Sequence, residues 1–175
     1  MRLKPFLAIG TCALLVISMS SAPSNAAQKP QVVKGQFGES ISAIAKNIAV
    51  DKNGQAQIVI TGKGFDETVG IYLAYCVKPK PGGAPTPCGG GVNKSGIGDA
   101  SYWISSNAPP YAANLAEPFR AGGRFTKSVG VSERIGKIDC RVNKCALTVR
   151  SDHLREGDRS RDLFIPVTFK KRIKI

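Results

Sequence analysis

Three side chains associated with nucleophilic catalysis stand in a row at Ser151-Asp152-His153, and His153 is the single histidine of the chain. A nucleophile, its base and the orienting acid must converge on one reacting atom, whereas successive residues of a strand point to opposite faces. The row is therefore not a triad. There is also no Gly-x-Ser-x-Gly elbow and no glycine-rich phosphate loop between a strand and a helix. The acids Asp152, Glu156, Asp158 and Asp162 have the density of a calcium loop, but Arg155, Arg159 and Arg161 interleave with them and cancel the charge a cation needs. The expectation is a solvated salt-bridge loop in a protein that is not an enzyme, with no catalytic residue, no metal and no cofactor.

The cysteines carry the remaining covalent chemistry. Cys12 lies inside an N-terminal apolar run, and the other four form two close pairs, Cys76/Cys88 and Cys140/Cys145. Zinc ligands are usually separated by about two residues, and these spacings are wider, so two local disulfides are expected. Each would contribute roughly 2–3 kcal/mol through loop entropy. Paired cysteines read as disulfides in a chain routed out of the cell, and residues 1–27 read as a signal peptide. Arg2 and Lys4 precede an apolar run over residues 6–20, and Ser24-Asn25-Ala26-Ala27 supplies small residues for cleavage. The run is shorter than the ~20 residues a spanning helix needs. A secreted product with no membrane span is expected. Without its leader the chain keeps 23 basic and 12 acidic groups, a formal charge of about +11. Such a balance attracts polyanions outside the cell.

The elements that must position these residues are strands. Residues 28–38 read as a flexible N-terminal arm, because Pro30, Gly35 and Gly38 interrupt it. Ser40 to Val50 reads as a strand, followed by an Asn53-Gly54 turn and a hairpin partner over Gln55 to Thr61. Gly70 to Val77 reads as a central strand with Ile71, Leu73 and Tyr75 on one face. Residues 78–123 hold most of the Pro and Gly and read as a surface excursion, with 89–123 its main part and Tyr102 to Ser105 a short strand within it. Phe125, Val129 and Val131 share a face. Gly136 to Cys140 and Ala146 to Arg150 flank a four-residue turn as a hairpin, and Leu163, Ile165, Val167 and Phe169 alternate along a last strand whose Pro166 implies an edge or a bulge. About seven short strands in 39–170 predict one all-β domain, a β-sandwich, followed by a basic tail over 171–175.

The blocks Thr61-Gly62-Lys63-Gly64-Phe65 and Gly70 to Cys76, then Gly136 to Cys140, Cys145 to Val149 and Ile165 to Phe169, together resemble the neocarzinostatin and macromomycin family of enediyne apoproteins. The resemblance implies a seven-stranded immunoglobulin-like sandwich with two short-range disulfides and a cleft that holds an apolar chromophore, the role of an antibiotic carrier. It implies that Cys76 and Cys88 line the cleft floor and that Ser151 falls near a ligand-facing position. Trp103 and Phe125 are aromatic groups that could stack on a flat ligand or simply fill the core. Three features depart from the family. This chain is basic, it has only Val131-Ser132-Glu133-Arg134-Ile135 in place of an aromatic-rich hairpin, and its excursion is longer.

Two functional classes follow. One is a secreted binding protein, expected to act as a monomer, that sequesters a small apolar or aromatic ligand. The other is a cell-envelope or interaction protein that holds an anionic envelope polymer or a protein partner by charge. For the second, Lys170, Lys171, Arg172 and Lys174 form a terminal cationic stretch. Its affinity would fall with salt as counterions are released. Aromatic residues are not interleaved with Lys and Arg, so no specific nucleic-acid reader is expected. Asn93-Lys94-Ser95 fits a glycosylation sequon.

Overall fold

The computed structural model describes residues 28–89, 97–98 and 101–171. The leader, the sequon at Asn93, and the tail residues Arg172 and Lys174 lie outside the described residues. In chain order the strands are β1 (Gln31–Lys34), β2 (Ser40–Ala43), β3 (Gln55–Lys63), β4 (Ile71–Val77), β5 (Cys88–Gly89), β6 (Ile97–Gly98), β7 (Ser101–Ile104), β8 (Phe125–Ser132), β9 (Arg134–Ile135), β10 (Ile138–Asp139), β11 (Cys145–Ser151) and β12 (Leu163–Val167). Helical structure among the described residues is limited to the 3-10 turns Pro110–Ala112 and His153–Arg155.

The strands form two main antiparallel sheets, β1-β2-β3-β8 and β12-β11-β4-β7-β6, with β5 added to β4 and a separate β9-β10 ribbon. Alternation decides what lies between them. Ile58 and Ile60 of β3 and Val129 and Val131 of β8 point inward from one sheet. Leu73 and Tyr75 of β4, Leu147 and Val149 of β11, and Ile165 of β12 meet them from the other. The fold is an all-β sandwich with two short-range disulfides, Cys76–Cys88 and Cys140–Cys145. Pro166 is exposed on β12, which is the edge of its sheet, where a missing N–H costs no ladder bond.

Several expectations are corrected. Residues 28–38 are not simply an arm: Gln31–Lys34 is an edge strand paired to β2, and the Gly35 amide donates to Glu39 O at 2.8 Å to close the connecting turn. The glycines there shape a hairpin. The strand expected over Ser40 to Val50 ends at Ala43, and Ile48 is held instead by an isolated bridge to Phe169. The Asn53-Gly54 turn does form, with Asp51 accepting from Asn53 N, yet β2 pairs with β3 in a register that places Ala43 opposite Ile60 and leaves a longer connection. Gly136 to Cys140 does not pair with β11. Its β10 segment joins β9, while β11 lies between β4 and β12. Asp139 explains the difference, because its carboxylate holds Arg141 and its carbonyl accepts from Asn143, folding the chain into a compact turn. Arg141 also holds the Asp139 carboxyl well below the usual carboxylate range. Where about seven strands were expected, short pairings in the arm and the excursion add further segments.

Candidate functional site: two recesses on the sandwich

The row Ser151-Asp152-His153 is pulled apart by its surroundings. Ser151 Oγ donates to Asp158 Oδ2 at 3.3 Å. Asp152, buried, accepts from Trp103 Nε1 at 3.0 Å and from Leu154 N at 3.0 Å, capping the short 3-10 turn. His153 turns to the surface, where its Nδ1 is hydrogen-bonded to the Tyr72 hydroxyl at 2.7 Å. Each of the three therefore has its own partner. The acidic stretch behind them is a salt-bridge loop, with Arg159 on Asp162 at 3.2 Å and Arg161 between Asp66 and Asp158.

The first recess lies beside the Cys76–Cys88 bridge and has a volume of about 300 Å³. Strands from both sheets wall it. Gln55 and Gln57 come from β3, Ser132 from β8, Arg134 from β9, and Tyr75 with Cys88 from the opposite sheet. Tyr75 is fully buried and its hydroxyl donates to Ser132 O at 3.1 Å, which ties the two sheets together across the recess. Burial pushes that hydroxyl far up in pKa, so it stays neutral. Gly89 leaves the wall open, because a side chain there would press on the Tyr75 ring at 3.3 Å. The result is a mixed wall, in which Tyr75, Val131 and Ile135 stand beside amide, hydroxyl and guanidinium groups.

Of the residues singled out for ligand contact, the structure brings Cys88 to this recess, with Cys76 buried behind it. Trp103 lies elsewhere, 3% exposed, with its indole against His153 at 5.0 Å. Phe125 is packed on Phe65 at 5.4 Å in the core. Ser151 is fully buried beside Asp158. Sequence reading passed over Gln55, Gln57 and Arg134, because ordinary polar residues on strands look like solvent-facing alternation until both sheets are assembled.

The second recess, about 550 Å³, opens on the outer side of the β12 edge. Its wall includes Lys78, Lys80, Lys144, Arg159, Asp162 and Phe164. The Lys78 amide donates to Lys144 O at 2.8 Å, which joins the end of β4 to the turn before β11 and sets two lysines side by side. Lys80-Pro81-Gly82-Gly83 is a tight turn closed by Gly83 N on Lys80 O, with Gly82 at φ +78, the conformation a type II turn requires after proline. Lys78 Nζ stands 5.7 Å from the centre of the Phe164 ring. Burial pushes the Asp162 carboxyl up to about 6, against the lowering effect of Arg159 and Arg150. The sequence signal was present as Lys78-Pro79-Lys80-Pro81, though read only as the start of an irregular excursion.

No family model matches this chain, and no curated protein matches it. Among solved structures, macromomycin is similar, with 15% identity over 75% of this chain and 99% of macromomycin, at a TM-score of 0.46. At that level the likeness carries neither a family nor a ligand. Among the described residues no helix is long and apolar enough to cross a membrane, and no group of three or more metal-ligating side chains is present.

Proposed function

We propose that this protein is an exported, non-catalytic binding protein that sequesters a small ligand with an apolar body in the recess beside the Cys76–Cys88 bridge. The observation that carries this reading is the recess itself: a concavity of about 300 Å³ built on strands of both sheets, with a disulfide in its wall. That is near the lower limit of about 300–1,000 Å³ over which proteins hold small molecules. The Gln55, Gln57 and Arg134 rim suits a ligand bearing a polar or acidic edge. Export is supported by the two disulfides, which persist in oxidising compartments. Trp103, Phe125 and Ser151 are better read as packing residues than as ligand contacts, since each is buried away from this recess.

Native mass spectrometry of protein purified from the medium of its producing cells tests this. The expected result is a small-molecule adduct that is absent from a Gln57→Trp variant, in which an indole fills the mouth. A bare mass with both bridges intact would overturn the carrier reading. The second reading, an envelope or interaction protein acting through charge, is favoured by one observation, the four cations gathered around Phe164 at the β12 edge.

A further inference from the structure

We infer that the recess at the β12 edge is a binding site for an acidic saccharide unit, one that carries a carboxylate, sulfate or phosphate beside free hydroxyl groups, within a longer anionic chain. The inference rests on the anionic-polymer reading and deepens it by naming the site and the ligand chemistry.

Four cations wall this recess, and three of them, Lys78, Lys80 and Lys144, have no acidic partner among the described residues. Lys78 and Lys80 come from one short run after β4, and tertiary structure brings Lys144, from the turn before β11, and Arg159 to them. A patch serving only solubility needs no such convergence. Positive charge alone, however, would suit any anion.

Asp162 narrows the choice. Its side chain is 6% exposed, Arg159 holds Oδ2, and Oδ1 is buried with no hydrogen-bond partner. An orphaned acceptor among cations is costly in the free protein and repels phosphate or any ligand that is anionic throughout. It is matched by a ligand hydroxyl, which donates. Phe164 adds a flat apolar wall of the kind that accepts the C–H face of a pyranose ring, since it projects outward from β12 between the buried Leu163 and Ile165. Anionic group, hydroxyl and apolar ring face are the three attributes of an acidic sugar. A polymer fits better than a free monosaccharide because a neighbouring recess of about 400 Å³ shares Lys78 and Lys144 and continues the trough past Arg141 and Asn143.

The test is calorimetric titration of the full secreted protein with oligogalacturonate at low and at physiological salt, with inorganic phosphate and a neutral oligosaccharide as comparison probes. Asp162→Asn is the decisive variant. Bulk electrostatics predicts tighter binding when a negative charge is removed, whereas a site that uses the carboxylate predicts roughly tenfold weaker binding of the oligogalacturonate, with phosphate binding no weaker. Lys80→Gln combined with Lys144→Gln, both surface changes, is expected to weaken the oligosaccharide more than Lys170→Gln combined with Lys171→Gln, which removes the same charge from the terminal stretch. The inference is overturned while the anionic-polymer reading stands if the wild type binds and the terminal pair carries the loss, or if Asp162→Asn binds as tightly or tighter. Absence of any binding by the wild type at low salt overturns both. Equal binding of the neutral oligosaccharide also overturns the inference.

Discussion

The two recesses are built from the same sandwich and differ in almost every physical respect. The one beside Cys76–Cys88 is walled by strands of both sheets, so buried Tyr75, Val131 and Ile135 meet the polar side chains of Gln55, Gln57, Ser132 and Arg134 there. The one at the β12 edge lies outside the sheet, where side chains alternate away from the core and three lysines gather beside a buried Asp162 carboxyl. The first is stapled by a disulfide and the second by a proline turn and a backbone bond between Lys78 and Lys144. A single scaffold thus offers a small cleft with one guanidinium in its wall and a trough walled by four cations. Location relative to the core, more than local composition, decides which is which.

Trp103 separates the two regions by the largest margin. If it is core, as its burial and its bond to Asp152 indicate, Trp103→Ala will cost about 3–5 kcal/mol in chemical denaturation, while ligand occupancy of the cleft in the folded protein is unchanged. A stable variant with an empty cleft would instead move Trp103 into the binding site and merge two regions treated as separate.

Removing the cleft's own staple sharpens the contrast. Cys76→Ser combined with Cys88→Ser is expected to lower stability by roughly 2–3 kcal/mol and to weaken cleft ligand retention. Oligogalacturonate binding at the trough should change by no more than about twofold, as for independent sites. Parallel calorimetry on both ligands reads the outcome, and equal losses at both would show that the recesses are one coupled unit.

The pH-dependent effect belongs to Asp162. Its folded-state pKa is raised by burial from 3.8 to about 6, so the folded protein binds a proton that the unfolded chain has released over that interval. Its contribution to stability is therefore fully present below pH ~4 and is lost as pH rises through about 6. Melting temperature recorded against pH should show this fall in the wild type and a flatter profile in Asp162→Asn. An unchanged profile would mean that the carboxyl is well solvated and that the trough lacks its orphaned acceptor.

Much of the scaffold was legible. Strict alternation in Ile71-Tyr72-Leu73 and in Leu163 to Val167 marked strands with one buried face, and Pro166 marked an edge, because both signals are local consequences of side-chain geometry and a missing N–H. The pairing of Gly136 to Cys140 was misread because two apolar runs flanking a turn look like a hairpin, while the Asp139 network that folds this segment onto β9 depends on where Arg141 and Asn143 reach in space. The aromatic candidates could not be placed from the sequence for a related reason. Trp103 and Phe125 have the chemistry to stack on a ligand, and only the fold shows that both are buried, Trp103 hydrogen-bonded to Asp152 and Phe125 packed on Phe65.

By itself the amino-acid sequence determined the class of the molecule: an all-strand domain with two close cysteine pairs, a strong excess of positive charge and no convergent catalytic row. Those properties follow from composition, from spacing and from a side-chain repeat of two, all of which are readable along a single chain. Tertiary structure alone decided which residues share a recess. Gln57 and Cys88, or Lys80 and Asp162, meet because sheets twist and pack, and that juxtaposition is set by many distant contacts acting together and not by any local pattern.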